Sequence, residues 1–89
     1  MDTNQRAALS PAEIEQRVEA IWNSVLDVPS NSRGATFFEL NGQSISAVQI
    51  VARIEEEIGV NVDMGDLFED PDLATFTRDV VAKATGAAL

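Results

Sequence analysis

Ser44 stands directly after Asn41-Gly42-Gln43, where a loop meets a helical pattern, and its hydroxyl is the group on which chemistry can centre. It is no conventional catalytic serine, because the chain has no histidine to take its proton and no lysine near it in sequence. Two readings stand. The hydroxyl caps the helix that follows, or it is a substrate that another enzyme modifies. A phosphate ester there would lie against the free N–H groups and positive end of a helix, a favourable place for negative charge.

The acidic residues are the second feature. Glu55, Glu56, Glu57, Asp63, Asp66, Glu69, Asp70 and Asp72 follow one another with no base between them. They read as a solvated face, or as a negative field that steers basic partner surfaces and speeds transient encounters. Calcium is rejected: Asp63, Asp66, Glu69 and Asp72 do not follow the order of a calcium loop, and no glycine occupies its sixth position.

Composition narrows the field further. With 89 residues the chain forms one domain, and a chain of that size hides only about 60–65% of its unfolded surface. Its 45% hydrophobic and 24% charged residues are those of a globular protein. Without cysteine, disulfides, thiolate metal sites and cysteine nucleophiles are excluded. The absence of histidine removes the commonest general base and metal ligand. A formal charge of −9 argues against nucleic acid and anionic membrane surfaces as partners. No stretch approaches the roughly 18 apolar residues of a membrane span, and Met1–Arg6 lacks the order of a signal peptide. A cytoplasmic monomer is expected.

The elements that must position Ser44 are helices. Residues 1–9 read as a frayed lead-in, 10–85 as the domain and 86–89 as a tail. Ser10-Pro11-Ala12-Glu13 predicts a helix start with a capping box. Ile14, Val18, Ile21, Trp22, Val25 and Leu26 form one apolar face, and Pro29 ends the helix. Residues 27–43 read as a long loop pinned to the core by Phe37, Phe38 and Leu40, with a turn at Asn41-Gly42. A second helix is predicted from Ser44 to Ile58, stopped by Gly59. Asp63 should cap a short helix over Met64–Glu69. Asp70-Pro71 breaks it and starts a last helix to about Ala84, whose face is Leu73, Phe76, Val80 and Ala84. No segment alternates convincingly with period two. The fold class is all-α, a four-helix bundle of three longer helices and one short one.

The second helix has more apolar residues than one face needs. At about 100° per residue, Ala47, Ile50, Val51, Ile54 and Ile58 make a sufficient core stripe. Ile45, Val48 and Ala52 form a neighbouring arc flanked by Glu55 and Glu56. Either the helix is central and both stripes are core, or the second is an exposed docking strip for partner proteins.

Phe37-Phe38-Glu39-Leu40-Asn41-Gly42-Gln43-Ser44-Ile45 resembles the attachment motif of carrier proteins, F-F-E-L-G-G-x-S-[LI], and most closely that of the peptidyl carrier (thiolation) domains of nonribosomal peptide synthetases. Ile21-Trp22 with Val25-Leu26, Arg53-Ile54-Glu55 through Gly59-Val60, and Asp66–Pro71 with Leu73 resemble the same family, so the likeness spans about residues 12–82. Asn41 replaces a usual glycine, and asparagine tolerates left-handed geometry. Gln43 replaces the commoner histidine or aspartate; an acid there is typical of fatty-acid and polyketide carriers.

The resemblance implies an acyl carrier protein-like fold and a specific chemistry. Ser44 would accept 4′-phosphopantetheine from coenzyme A, delivered by a magnesium-dependent phosphopantetheinyl transferase. The thiol of that arm would hold aminoacyl, peptidyl or other acyl groups as thioesters, so that the cofactor and not the protein carries the chemistry. An adenylation or acyl-loading enzyme would charge it, and condensation, tailoring or thioesterase enzymes would unload it. By position, Ile45, Val48 and Ala52, with Met64 and Leu67 on the short helix and Leu40 and Gln43 before the serine, would form the partner-facing surface. The expected function is that of a free-standing, non-catalytic carrier in secondary metabolism, because the chain starts with its own methionine and stops soon after the last helix. The alternatives are an acyl or aryl carrier of a polyketide or siderophore-like pathway, and a cofactor-free helical adaptor.

Overall fold

A computed structural model describes residues 9–29 and 34–86 of the chain. It contains four helices: α1 (Pro11–Leu26), α2 (Ser44–Glu57), α3 (Met64–Phe68) and α4 (Leu73–Thr85). Helix α1 packs against both α2 and α4, and α3 rests on α2. The all-α expectation is met, with three longer helices and one short one. The proposed lead-in, apart from Leu9, and the end of the tail lie outside the described residues.

Helices α1, α3 and α4 start where a side-chain cap dictates. The Ser10 hydroxyl accepts from the Glu13 N–H (3.1 Å), and the Glu13 carboxylate accepts from the Ser10 N–H (2.9 Å), closing the capping box of α1. Asp63 accepts from the Gly65 N–H (3.0 Å) and Asp72 from the Thr75 N–H (2.8 Å) to open α3 and α4. The ends differ in detail from expectation. Asp27, at φ 54°, stops α1 by donating its N–H to the Asn23 carbonyl, before the block at Pro29 comes into play. Helix α2 ends at Glu57, with Gly59 in the left-handed region beyond it. Helix α4 starts at Leu73, later than Asp70-Pro71, because Asp70 is left-handed (φ 64°) and the Pro71 carbonyl is taken by the Phe37 N–H.

The core is one cluster. Ile14, Val18, Ile21, Trp22 and Leu26 from α1 meet Ala47, Ile50 and Ile54 from α2, Leu67 from α3, and Phe76 and Val80 from α4. Trp22 sits at its centre, 5.7 Å from the Phe76 ring and 6.3 Å from the Phe37 ring between centroids. Val51, Ile58, Leu73 and Val25 pack at its margin, whereas Ala84 lies exposed on the last turn of α4. Val60 and Val62 are also buried, on the extended link between α2 and α3. Their alternation around exposed Asn61 is a period-two pattern too short to make a strand.

Three expectations are corrected. Leu67, assigned to the partner face, is completely buried: on so short a helix one apolar position must face α2, and Leu67 is that position. Leu40, given the same role, also belongs to the core, because the turn that carries it folds its side chain inward. Phe38, expected to pin the loop, is instead 47% exposed, since Phe37 beside it occupies the inward direction.

Candidate functional site

The segment ahead of Ser44 is built more regularly than a loop. Thr36 and Glu39 form a capping box of their own. The Thr36 N–H donates to Glu39 Oε1 (2.9 Å), and the Glu39 N–H donates to Thr36 Oγ1 (3.3 Å). Between them the chain makes a single helical turn, closed by the Leu40 N–H on the Thr36 carbonyl (3.0 Å) and the Asn41 N–H on the Phe38 carbonyl (3.0 Å). The T-x-x-E spacing of Thr36 and Glu39 is the signal by which this turn is legible in the sequence.

Asn41 ends that turn at φ 65°, the left-handed conformation expected where a glycine is usual. Gly42 then passes over the buried Phe37 ring, and its N–H donates to the Phe37 carbonyl (2.9 Å). Gln43 is extended and exposed (φ −134°, ψ 175°), and occupies the N-cap position of α2 without a side-chain cap.

Ser44 is therefore the first helical residue and not the cap, which corrects that reading of its hydroxyl. It is exposed, and among the described residues its oxygen makes no hydrogen bond. The Ala47 N–H is the first to find a helical acceptor, the Gln43 carbonyl at 2.9 Å. The N–H groups of Ser44, Ile45 and Ser46 have no protein acceptor among the described residues. No acidic side chain lies in the first turn of α2. A free hydroxyl, unpartnered amides and the positive helix end converge on a place suited to an ester-linked phosphate.

Helix α2 presents its second stripe to solvent. Ile45 is 60% exposed, Val48 45%, and Ala52 is exposed beside them, so that stripe is not core. Met64 is half-buried at the start of α3. Phe68, 41% exposed, is a large apolar surface residue that the sequence reading missed. The acidic run has mixed roles. Glu57 pairs with Arg53 (3.0 Å) and Asp66 with Lys83 of α4 (3.7 Å). Asp63 and Asp72 cap helices, and Asp70 accepts the Phe38 N–H (2.8 Å), while Glu55, Glu56 and Glu69 remain exposed. Hydrogen bonds from Thr75, its backbone N–H first, hold the Asp72 carboxyl below its ordinary pKa of 3.8. No group of residues able to hold a metal ion occurs among those described.

Residues 16–80 match the family model described as a phosphopantetheine attachment site. The chain belongs to that family. Its cofactor is covalently attached 4′-phosphopantetheine, and the expected acyl carrier protein-like bundle is the fold observed. The chain is 35% identical over 80 residues to phosphinothricin tripeptide synthetase PhsC of Streptomyces viridochromogenes, covering 90% of this chain and 7% of that protein. It is 44% identical over 70 residues to a linear gramicidin synthase of Brevibacillus parabrevis, covering 78% and 1%. Against pyochelin synthetase PchE of Pseudomonas aeruginosa the identity is 36% over 81 residues, covering 90% and 6%. The chain thus spans less than a tenth of the length of these relatives. The resemblance to peptidyl carrier domains agrees with these matches.

Proposed function

We propose that this chain is a peptidyl carrier in which the Ser44 hydroxyl bears the 4′-phosphopantetheine arm. The observation that supports it is the unbonded, exposed Ser44 oxygen on the first residue of α2, beside amides with no acceptor. A serine placed to cap a helix would have its oxygen committed to an N–H three residues on; this one is left available. When attached, the arm supplies a thiol for thioester chemistry that no side chain of this cysteine-free chain offers. Ser44 holds the ester, the N–H groups of Ile45 and Ser46 face its phosphate, and the rigid turn from Thr36 to Asn41 fixes the direction of departure.

Ile45, Val48 and Ala52, with Met64 at the edge of α3 and Gln43 beside the serine, form the surface that meets partner enzymes. These are the phosphopantetheinyl transferase, an adenylation or acyl-loading enzyme, and condensation, tailoring or thioesterase enzymes. The acids Glu55 and Glu56 flank the strip and favour partners with basic rims. The protein is a non-catalytic, monomeric cytoplasmic carrier, and tethering raises the local concentration of its cargo at each active site. Support for aminoacyl or peptidyl cargo comes from relatives named as tripeptide and gramicidin synthetases.

The test is the intact mass after incubation with coenzyme A, magnesium and a promiscuous phosphopantetheinyl transferase. The protein gains the mass of one phosphopantetheine, and Ser44→Ala gains none. An unmodified wild type, with a transferase shown to be active on another carrier, would favour a cofactor-free helical adaptor. Loading by adenylation enzymes with amino acids, set against acyl-CoA substrates, separates a peptidyl from an acyl or aryl carrier.

A further inference from the structure

A single helical turn has no helical acceptors for its first N–H groups, which must find partners elsewhere. In the turn that follows Thr36, those groups belong to Phe37, Phe38 and Glu39, and all three are satisfied. Thr36 Oγ1 accepts from Glu39, the local half of the capping box. The other two acceptors come from the joint between α3 and α4: the Pro71 carbonyl takes the Phe37 N–H at 2.9 Å, and Asp70 Oδ1 takes the Phe38 N–H at 2.8 Å. An isolated antiparallel bridge between Thr36 and Asp72 continues the same line of pairing.

We propose that Asp70 is a positioning residue for Ser44, its carboxylate capping from another part of the chain the turn that leads to the serine. The backbone of Asp70 is bent for this purpose. At φ 64° it sits in the left-handed region, which aspartate and asparagine enter more readily than other side chains. The bond is also charge-assisted, and so stronger than one between neutral groups. From the capped turn the linkage to the serine is short. The Phe37 carbonyl accepts from Gly42, the Phe37 ring supports that glycine, and Ser44 follows two residues later. Losing the Asp70 acceptor leaves the Phe38 N–H without its partner and loosens the frame on which Ser44 is presented to the transferase.

Asp70 also ends α3, donating its own N–H to the Leu67 carbonyl (3.1 Å), so a merely structural role must be separated from positioning. Two variants do this. Asp70→Gly keeps the left-handed backbone without strain and removes the carboxylate. Asp70→Asn keeps an acceptor oxygen and the tolerance for that backbone.

The inference rests on Ser44 as the attachment site, so wild-type protein is loaded alongside the variants. Steady-state kinetics of phosphopantetheinylation are measured together with amide hydrogen exchange at Phe38 and at Ile50 in the core. For Asp70→Gly, kcat/KM falls about fivefold or more and the Phe38 amide loses protection while Ile50 keeps its own; Asp70→Asn stays within about twofold of wild type. An Asp70→Gly variant loaded as fast as wild type, an Asp70→Asn variant as slow as Asp70→Gly, or equal loss of protection at Ile50 would overturn the inference alone. A wild type that gains no mass sinks the attachment reading first, and this inference with it.

Discussion

The ring of Phe37 lies directly under Gly42: a methyl group added at Gly42 would stand 2.6 Å from three of its ring carbons. Phe37 is fully buried and touches Trp22, so the ring has nowhere to retreat. The glycine two residues before Ser44 is thus required by space, as the floor beneath the serine's turn is an aromatic side chain of the core.

Gly42→Ala is expected to destabilise the fold by about 1–3 kcal/mol, the range for forced overpacking. Chemical denaturation checks it. Combined with Phe37→Leu, which opens room below residue 42, the alanine should cost clearly less than it does alone. Strict additivity of the two changes would show that the contact is not the cause.

Val48 and Leu67 separate the surface from the core. Val48→Asp is expected to leave helicity and melting temperature nearly unchanged while slowing transfer from partner enzymes, since Val48 is 45% exposed. Leu67→Ala, at a completely buried site, should cost about 2–5 kcal/mol. A stability loss at Val48 of about 2 kcal/mol or more would place it in the core after all.

Phe76→Ala removes one face of the aromatic cluster around Trp22, whose centroid is 5.7 Å away. The expected loss is about 3–5 kcal/mol, a large share of the stability of a domain this small. Trp22 is the only tryptophan, so its fluorescence reports directly, shifting to the red as water reaches the ring.

Asp72 gives α4 a dependence on pH. Its carboxylate accepts the Thr75 N–H, which holds its folded pKa below the ordinary 3.8. The cap therefore contributes fully above that ordinary value and is lost as pH falls through the lower, folded value. Asp72→Asn should lessen the acid-induced loss of stability in that window and leave the pH dependence above it unchanged, as followed by thermal melts across an acid pH series.

Much of the bundle is legible from local signals. The capping box of Ser10 and Glu13, the stripe Ile14–Leu26 and the core stripe of α2 arise from neighbours within one or two helical turns, where spacing alone decides which side chains share a face. The left-handed Asn41 follows in the same way, from the intrinsic preference of one residue type. The two aromatics of the attachment motif are different. In this single turn only one of the two adjacent aromatics packs inward, and only the packed core decided that Phe37 is buried and Phe38 exposed.

The sequence by itself determined that this chain is helical, that it has neither histidine nor cysteine, and that Ser44 opens a helix after a turn. Tertiary structure alone decided that Leu40 and Leu67 turn inward while Ile45 and Val48 stay in solvent. It also decided that Asp70, 32 residues beyond Phe38, caps the turn ahead of the serine. Periodicity states which residues share a face; which face is covered, and which distant carboxylate meets a free N–H, follow only when the helices close around a common core.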